Sequence, residues 1–152
     1  MRWLLSGSGV LLSLWAASPQ LAAQIRSTVR EPVRPYVVHC REEPNAPGAR
    51  CAVDRSTYVG WRAFHMVCHQ CHAEDGLGSS FAPSLVERVR KLSKGDFLFA
   101  MENGYPGLQG TMPPWGRDRD VNRYYDELWS YLLARANGDL PPGEPGQLPA
   151  SD

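Results

Sequence analysis

The sequence predicts a small all-α domain that follows a non-helical N-terminal arm. The first observation is a helical period near the middle of the chain, where apolar and aromatic residues recur at spacings of three and four: Tyr58, Trp61, Phe64, His65 and Cys68. The second is a wider apolar stripe further on, formed by Val121, Tyr124, Tyr125, Leu128, Trp129, Tyr131 and Leu132. The third is that few segments alternate as strands do, and 152 residues suffice for one modest domain. We therefore expect one helical domain over residues 54–138.

The N-terminus has the parts of a secretory signal. Met1-Arg2 supplies a positive charge, residues 3–17 are apolar or small, and Leu21-Ala22-Ala23 offers a cleavage point. The alternative is an uncleaved anchor, but the apolar stretch is shorter than the roughly twenty residues that a spanning helix needs. We predict a signal peptide over residues 1–23, export to the periplasm and no membrane span after its removal.

Residues 24–53 are rich in Pro and Arg and have no helical period, so they are expected to form the arm. The arm contains Cys40 and Cys51, with ten residues between them. In an oxidising compartment, two cysteines at this spacing favour a disulfide over two reduced thiols. The intervening Pro and Gly residues predict a turn, so the disulfide is expected to be structural.

Further helices are expected after the central one. A short helix is predicted over Ser84 to Lys91, and another from Ser93, as N-cap, to Asn103, where Gly104 ends it. The last helix begins near Asp118 or Asp120 and ends before Gly138. Residues 139–152 are rich in Pro and Gly, and we expect a flexible tail without helix or sheet.

Charge excludes two classes of partner. The chain has 16 basic and 16 acidic residues, and loss of Arg2 with the signal leaves a net charge of −1. Nucleic-acid binding needs a concentrated basic surface, and binding to anionic lipid through charge needs a polybasic segment. We predict neither interaction.

The chemistry of the chain is indicated by Cys68-His69-Gln70-Cys71-His72, a Cys-x-x-Cys-His pattern. Two thiols three positions apart can reach the two vinyl groups along one porphyrin edge, and His72 can then direct its imidazole at the iron. A thioredoxin-like redox pair or half of a zinc site is the competing interpretation. A thioredoxin-like pair follows a β-strand, whereas a helix is predicted before Cys68. A zinc site needs two more ligands at close spacing, and Cys40 and Cys51 are too far apart in sequence for this. We therefore predict one covalently attached haem c.

An electron-carrying haem usually has a second axial ligand, and methionine is common in that role. Met112 lies in a Gly- and Pro-rich loop over residues 104–116, which could fold over the distal face of the haem. Met66 is too close to the attachment motif to reach the other face of the haem. Met101 is expected in the apolar face of a helix, where a packing role is favoured. The other candidates are His65 and His69, which are expected to be exposed or to pack within the helix, and His39, which lies far away in the N-terminal arm. We favour Met112 as the second iron ligand.

The surroundings of the haem can also be anticipated. A ligating histidine usually donates its other ring N–H to a carbonyl or carboxylate, and the carbonyl of Pro83 is our candidate for His72. An apolar wall is expected from Phe81, Leu85, Phe97, Leu98 and Trp115. Trp115 or Arg117 could bond a propionate, although Arg117 could equally be a solvated charge.

These residues together identify a family resemblance. Residues 54–138 resemble the class I (mitochondrial-type) cytochromes c through Gly60-x-x-x-Phe64, the haem motif, Ala-Pro-Ser-Leu at 82–85, Met112-Pro113 and an aromatic residue in the last helix. The resemblance implies that Gly60 lets the first and last helices cross closely against Trp129. It also maps the family's methionine ligand onto Met112.

A closer resemblance lies in residues 102–116 and in the Leu-Trp-Ser-Tyr stretch of the last helix. These segments are similar to the cytochrome cL-like acceptors of periplasmic quinoprotein methanol or alcohol dehydrogenases. The resemblance implies a periplasmic electron carrier that takes single electrons from such a dehydrogenase and passes them to a downstream cytochrome or oxidase. With both axial positions filled it would not be an enzyme. The alternative is a haem enzyme or gas sensor with an open or weakly held sixth position.

Overall fold

The computed structural model describes residues 34–108 and 110–150. The predicted signal peptide and the first part of the arm lie outside these residues. Within them, the helices are α1 (Arg55–Ala63), α2 (His69–His72), α3 (Leu85–Val89), α4 (Lys94–Asn103), α5 (Arg119–Asn122) and α6 (Tyr125–Asn137). The short strands are β1 (Val38–Cys40), β2 (Cys51–Val53), β3 (Tyr105–Pro106), β4 (Thr111–Met112) and β5 (Gly146–Gln147). The fold is therefore mainly helical, as expected, with two small sheets that the sequence did not predict.

Asp54 caps α1 and also holds the arm against it. One carboxylate oxygen accepts the Thr57 backbone N–H at 3.0 Å, while the other accepts the Val37 backbone N–H at 2.6 Å and the Thr57 hydroxyl at 2.7 Å. Burial acts to raise the pKa of Asp54, but the hydrogen bonds outweigh it and hold the pKa below its ordinary value of 3.8. The ionised carboxylate is thus the form that the fold stabilises.

Asp54→Ala is expected to lower the free energy of unfolding by about 2 kcal/mol, because a helix cap and the tie to Val37 are lost together. Asp54→Asn keeps an acceptor oxygen and should lose less. Because the folded pKa is depressed, the stability due to the charge is present above pH 3.8 and disappears as the pH falls through the folded pKa. Denaturant unfolding of the holoprotein at several pH values measures both effects. A gap between wild type and Asp54→Asn that widens at acid pH would contradict this assignment.

Helices α1 and α6 cross in close contact at Gly60. A Cβ atom on Gly60 would lie 1.9 Å from the carbonyl oxygen of Glu127 and 3.0 Å from the Cβ of Tyr131. The Phe64 and Tyr131 rings pack beside this crossing with centroids 5.6 Å apart. The expected close crossing is therefore present, and glycine is required because the backbone of the partner helix occupies the side-chain position.

The prediction that Trp129 is the aromatic residue at this crossing was wrong. Trp129 packs its ring on Phe97 at a centroid distance of 5.3 Å, whereas Tyr131 is the aromatic residue nearest Gly60. Residues two apart on an α-helix point to different sides, so Glu127 and Tyr131 share the face toward α1 and Trp129 does not. Trp129 instead joins α6 to α4.

Helix ends mostly follow the predicted signals. Ser84 caps α3, and Ser93 with Asp96 forms a reciprocal capping box at the start of α4. The predicted last helix is divided into α5 and α6, because Tyr124 between them has a non-helical backbone (φ −113°, ψ 16°). Gly138 ends α6 with φ +79°, the left-handed conformation that glycine adopts without strain.

The arm forms a hairpin in which β1 pairs antiparallel with β2. The predicted disulfide between Cys40 and Cys51 closes it, and these cysteines lie opposite each other in the strand register. Strand β5 then pairs in parallel with β2, giving a three-stranded sheet in the order β1-β2-β5. The disulfide thus fixes one edge of a sheet that includes the C-terminal segment.

The expectation that residues 139–152 contain neither helix nor sheet was wrong. Besides the β5 pairing, the Leu148 backbone N–H donates to the carbonyl oxygen of Val53 at 2.8 Å. Leu140 is 1% exposed and belongs to the core. Apolar burial of Leu140 and backbone pairing with β2 stabilise a segment whose Pro and Gly content argues against structure.

In the ranges 34–108 and 110–150, no helix is both long and apolar enough to cross a lipid bilayer.

Candidate haem site

The attachment motif follows directly on a distortion of the first helix. Residues Phe64–Cys68 form a π turn between α1 and α2, in which the His69 backbone N–H donates to the carbonyl oxygen of Phe64. Cys68 ends this turn and is half-buried, while Cys71 is exposed in α2. Both are free thiols, so both are available for thioether bonds.

Burial raises the pKa of the Cys68 thiol to about 11. A redox-active Cys-x-x-Cys pair has the opposite property, a lowered pKa that exposes a thiolate. Cys40 and Cys51 are joined to each other, so they cannot complete a zinc site with Cys68 and Cys71. Both competing interpretations of the motif are therefore disfavoured.

His72 is held in the state that an iron ligand needs. Its Nδ1 lies 2.9 Å from the carbonyl oxygen of Pro83, the contact that the sequence predicts. A carbonyl can only accept, so Nδ1 carries the proton and the lone pair is on Nε2. His72 is buried, and this burial lowers the pKa of its imidazole despite the Pro83 bond. The ring is thus neutral, fixed in one tautomer and fixed in orientation.

The loop that presents Pro83 depends on an unusual backbone. Ala73 and Asp75 both have φ +59°, and the Gly78 N–H donates to the carbonyl oxygen of His72 at 2.8 Å. A Cβ on Gly78 (φ +93°) would lie 2.6 Å from the backbone nitrogen of Ser84. The chain therefore turns back sharply after the motif and brings Pro83 to His72.

Met112 is placed on a hairpin beside that loop. It is half-buried in β4, paired with Tyr105 of β3. A Cβ on Gly110 of the same hairpin would lie 3.3 Å from the carbonyl oxygen of Phe81, two residues before Pro83. The Trp115 backbone N–H donates to the carbonyl oxygen of Met101 at 2.8 Å and ties the end of the loop to α4. The loops that carry Pro83 and Met112 are thus in contact.

The other methionines lie elsewhere. Met101 is 4% exposed in the core, as expected for a packing residue, and Met66 is 55% exposed in the π turn. Among the expected wall residues, Leu85 and Trp115 are half-buried and Phe81 is 69% exposed. The Phe97 ring packs against the Trp129 ring.

A buried polar network next to the motif was not foreseen. Asp75 is 7% exposed and accepts the Gly143 backbone N–H at 3.0 Å and the Tyr131 hydroxyl at 3.3 Å. Nearby, the buried Arg135 donates to the carbonyl oxygen of Leu140 at 2.6 Å. The network links the residues after His72 to α6 and to the C-terminal segment. No local sequence signal marks it, because its members are far apart in the chain.

The chain is similar to several known proteins. Residues 57–132 match the family described as cytochrome c oxidase, cbb3-type, subunit III, a match that covers half of the chain. Cytochrome c-555 of Methylococcus capsulatus is 32% identical over 100 residues, which are 65% of this chain and 78% of the relative. This chain belongs to the cytochrome c family. The cofactor of the cytochrome is haem c, covalently bound.

Two further relatives support the assignment. Cytochrome c-553I of Paracoccus denitrificans is 39% identical over 100 residues, 63% of this cytochrome and 44% of the relative. The crystal structure of the c-type cytochrome XoxG from Methylobacterium extorquens AM1 has a TM-score of 0.62 and 36% identity, and the match covers 66% of this cytochrome and 62% of XoxG. The cytochrome thus spans under half of cytochrome c-553I and less than two thirds of XoxG.

The donor set fits haem c. The free thiols of Cys68 and Cys71 are three residues apart, as is needed to bond one edge of the porphyrin. The neutral imidazole of His72 has its lone pair on Nε2, available to the iron. When bound, the haem supplies one-electron redox chemistry at its iron.

Proposed function

We propose that this cytochrome is an exported single-electron carrier whose haem is bonded to Cys68 and Cys71 and ligated by His72 and Met112. The observation that carries the proposal is the hydrogen bond from His72 Nδ1 to the Pro83 carbonyl. It leaves one nitrogen, in a fixed orientation, to ligate iron.

The second ligand is proposed from the position of the Met112 hairpin. Its contact with the Pro83 loop, through Gly110 and Phe81, supports delivery of a sulfur to the haem held by His72. A histidine and a methionine as iron ligands would give a higher reduction potential than two histidines. Pro113 and Pro114 restrict the backbone after Met112 and so limit the movement of the ligand. With both His72 and Met112 as ligands, the iron would have no free position for a substrate, which favours a carrier over an enzyme or gas sensor.

We infer a periplasmic location and a dehydrogenase as the electron donor. The Cys40–Cys51 disulfide supports an oxidising compartment, as does the signal-like N-terminus. The likeness of residues 102–116 to cytochrome cL-type acceptors supports a quinoprotein alcohol or methanol dehydrogenase as donor. The acceptor would be a downstream cytochrome or oxidase. A net charge near zero favours docking through a local patch, as in the small interfaces of redox pairs.

The test is direct electron transfer between purified proteins. Oxidised holoprotein is mixed with a quinoprotein methanol dehydrogenase and its alcohol, and haem reduction is followed by visible absorbance. We expect reduction that needs both enzyme and alcohol and that saturates with cytochrome concentration. An unrelated class I cytochrome c of similar potential is the control for non-specific transfer. If both cytochromes are reduced equally slowly, the proposed donor is wrong, although the carrier function could still stand.

A further inference from the structure

A column of four aromatic rings runs along one side of α1, the π turn and α2. Tyr58 stacks on Trp61 at 5.6 Å between centroids, Trp61 packs on His65 at 4.8 Å, and His65 stacks on His69 at 6.0 Å. His65 and His69 are four residues apart and half-buried. The proposed haem ligation uses neither of them. Two histidines one turn apart on a helix are a common metal-chelating arrangement.

His65 is already oriented as metal-binding histidines are. Its Nδ1 lies 2.8 Å from the carbonyl oxygen of Trp61. Because a carbonyl only accepts, Nδ1 carries the proton and Nε2 keeps its lone pair. Donation of one ring N–H to a backbone carbonyl is the usual support of a ligating imidazole. Packing on Trp61 and Phe64 limits rotation of the ring further.

His69 supplies the second nitrogen. Its Nδ1 is enclosed and makes no hydrogen bond within the described ranges. Its backbone is fixed by the N–H bond to Phe64 that closes the π turn. A neutral imidazole has one unprotonated nitrogen in either tautomer, so His69 retains a lone pair that the protein does not use.

The distance between the rings permits one ion to bind both. Since a zinc–nitrogen bond is about 2.1 Å, two imidazoles on one ion have centroids no more than about 6.5 Å apart. The observed centroid distance of 6.0 Å is within this limit.

We propose that His65 and His69 bind a divalent first-row transition ion, such as Zn²⁺ or Cu²⁺, with water completing its coordination. Imidazole nitrogen is a favoured ligand of both ions. The described residues contain no cluster of three or more His, Cys, Asp or Glu side chains that could hold a metal ion, and the proposed site has two protein ligands. This site differs from the haem iron and does not depend on the proposed electron donor.

The site would also influence the haem. His69 lies between the two cysteines of the attachment motif, so a bound dication is close to the haem edge. Reduction lowers the positive charge of the iron, and a nearby positive charge favours the reduced form. Metal binding therefore raises the reduction potential.

Zn²⁺ is the probe, because it has no redox chemistry of its own. Denaturant unfolding of the oxidised holoprotein is measured with increasing Zn²⁺ up to millimolar concentration. We expect a saturable rise in the unfolding midpoint, since the ion binds the folded pair more tightly than the unfolded chain. His65→Gln and His69→Gln should each lose this rise. His39→Gln, a matched change in the arm, should retain it.

The haem potential gives a second measurement on the same proteins. Zn²⁺ should raise it in the wild type and in His39→Gln, and leave it unchanged in His65→Gln. If a variant does not fold, the wild-type potential with and without Zn²⁺ still decides between the outcomes. No midpoint shift and no potential shift at millimolar Zn²⁺ would overturn the proposal, as would a shift that survives in both histidine variants.

Discussion

Gly60→Ala is expected to lower the free energy of unfolding of the holoprotein by about 3 kcal/mol or more. The new Cβ would lie 1.9 Å from the carbonyl oxygen and 2.5 Å from the carbonyl carbon of Glu127, both of them backbone atoms of α6. A backbone cannot move aside as a side-chain end can, so α1 and α6 must separate. Separation opens the Phe64–Tyr131 contact, which lies in the core. Denaturant unfolding monitored by far-UV circular dichroism measures the loss.

Gly95→Ala is the matched control. Gly95 also lies in a helix, but its added Cβ would meet only the Ser93 hydroxyl oxygen at 3.6 Å, an ordinary contact. Alanine is the better helix former, so stability should stay the same or rise by up to about 1 kcal/mol. Equal destabilisation by the two substitutions would show that the helix crossing is not the reason that residue 60 is glycine.

Met112→Leu is expected to remove the sulfur ligand and lower the reduction potential by on the order of 0.1 V. Leucine is close to methionine in volume, so the hairpin keeps its packing while the proposed sulfur ligand is removed. The weak red absorption band typical of a sulfur-ligated ferric haem should disappear. The reduced form should then bind carbon monoxide, which the wild type should resist. Visible spectra and redox titration measure these changes.

Met101→Leu makes the same chemical change inside the core and should preserve the band, the potential and the resistance to carbon monoxide. The comparison separates ligation from packing, because both variants replace sulfur with carbon. If Met112→Leu keeps the red band, another residue is the ligand. If the wild type itself binds carbon monoxide readily, the interpretation as a haem enzyme or gas sensor gains support over the carrier.

The features that the sequence predicted well depend on neighbours in the chain. The helical period before Cys68, the cap at Ser93 and the end of α6 at Gly138 all follow from local spacing and backbone preference. The contact between His72 and Pro83 could be expected because a ligating histidine needs an acceptor and a turning loop follows the motif. Ligation by Met112 is a prediction still, since it rests on sequence position and on the placement of its hairpin.

The features that were missed depend on residues far apart in the chain. Pairing of β5 with β2 and burial of Leu140 oppose the local preference of a Pro- and Gly-rich segment. The Asp75 network joins residues 75, 131 and 143, and a single sequence gives no sign that they meet. Trp129 and Tyr131 both belong to the apolar stripe of the last helix, so the stripe alone could not say which of them faces Gly60.

The three-stranded sheet has a consequence for how the chain folds. Its β2–β5 pairing joins Ala52 to Gly146, residues more than ninety positions apart, whereas α1 and α2 form from near neighbours. Closing so long a loop has an entropic cost that local contacts avoid. On the ribosome or during translocation, β5 can join the sheet only after residues 146–147 have emerged, more than ninety residues later than β2. The hairpin of β1 and β2, closed by the Cys40–Cys51 disulfide, can form much earlier. The edge of β2 with which β5 pairs can therefore be in place before β5 is available.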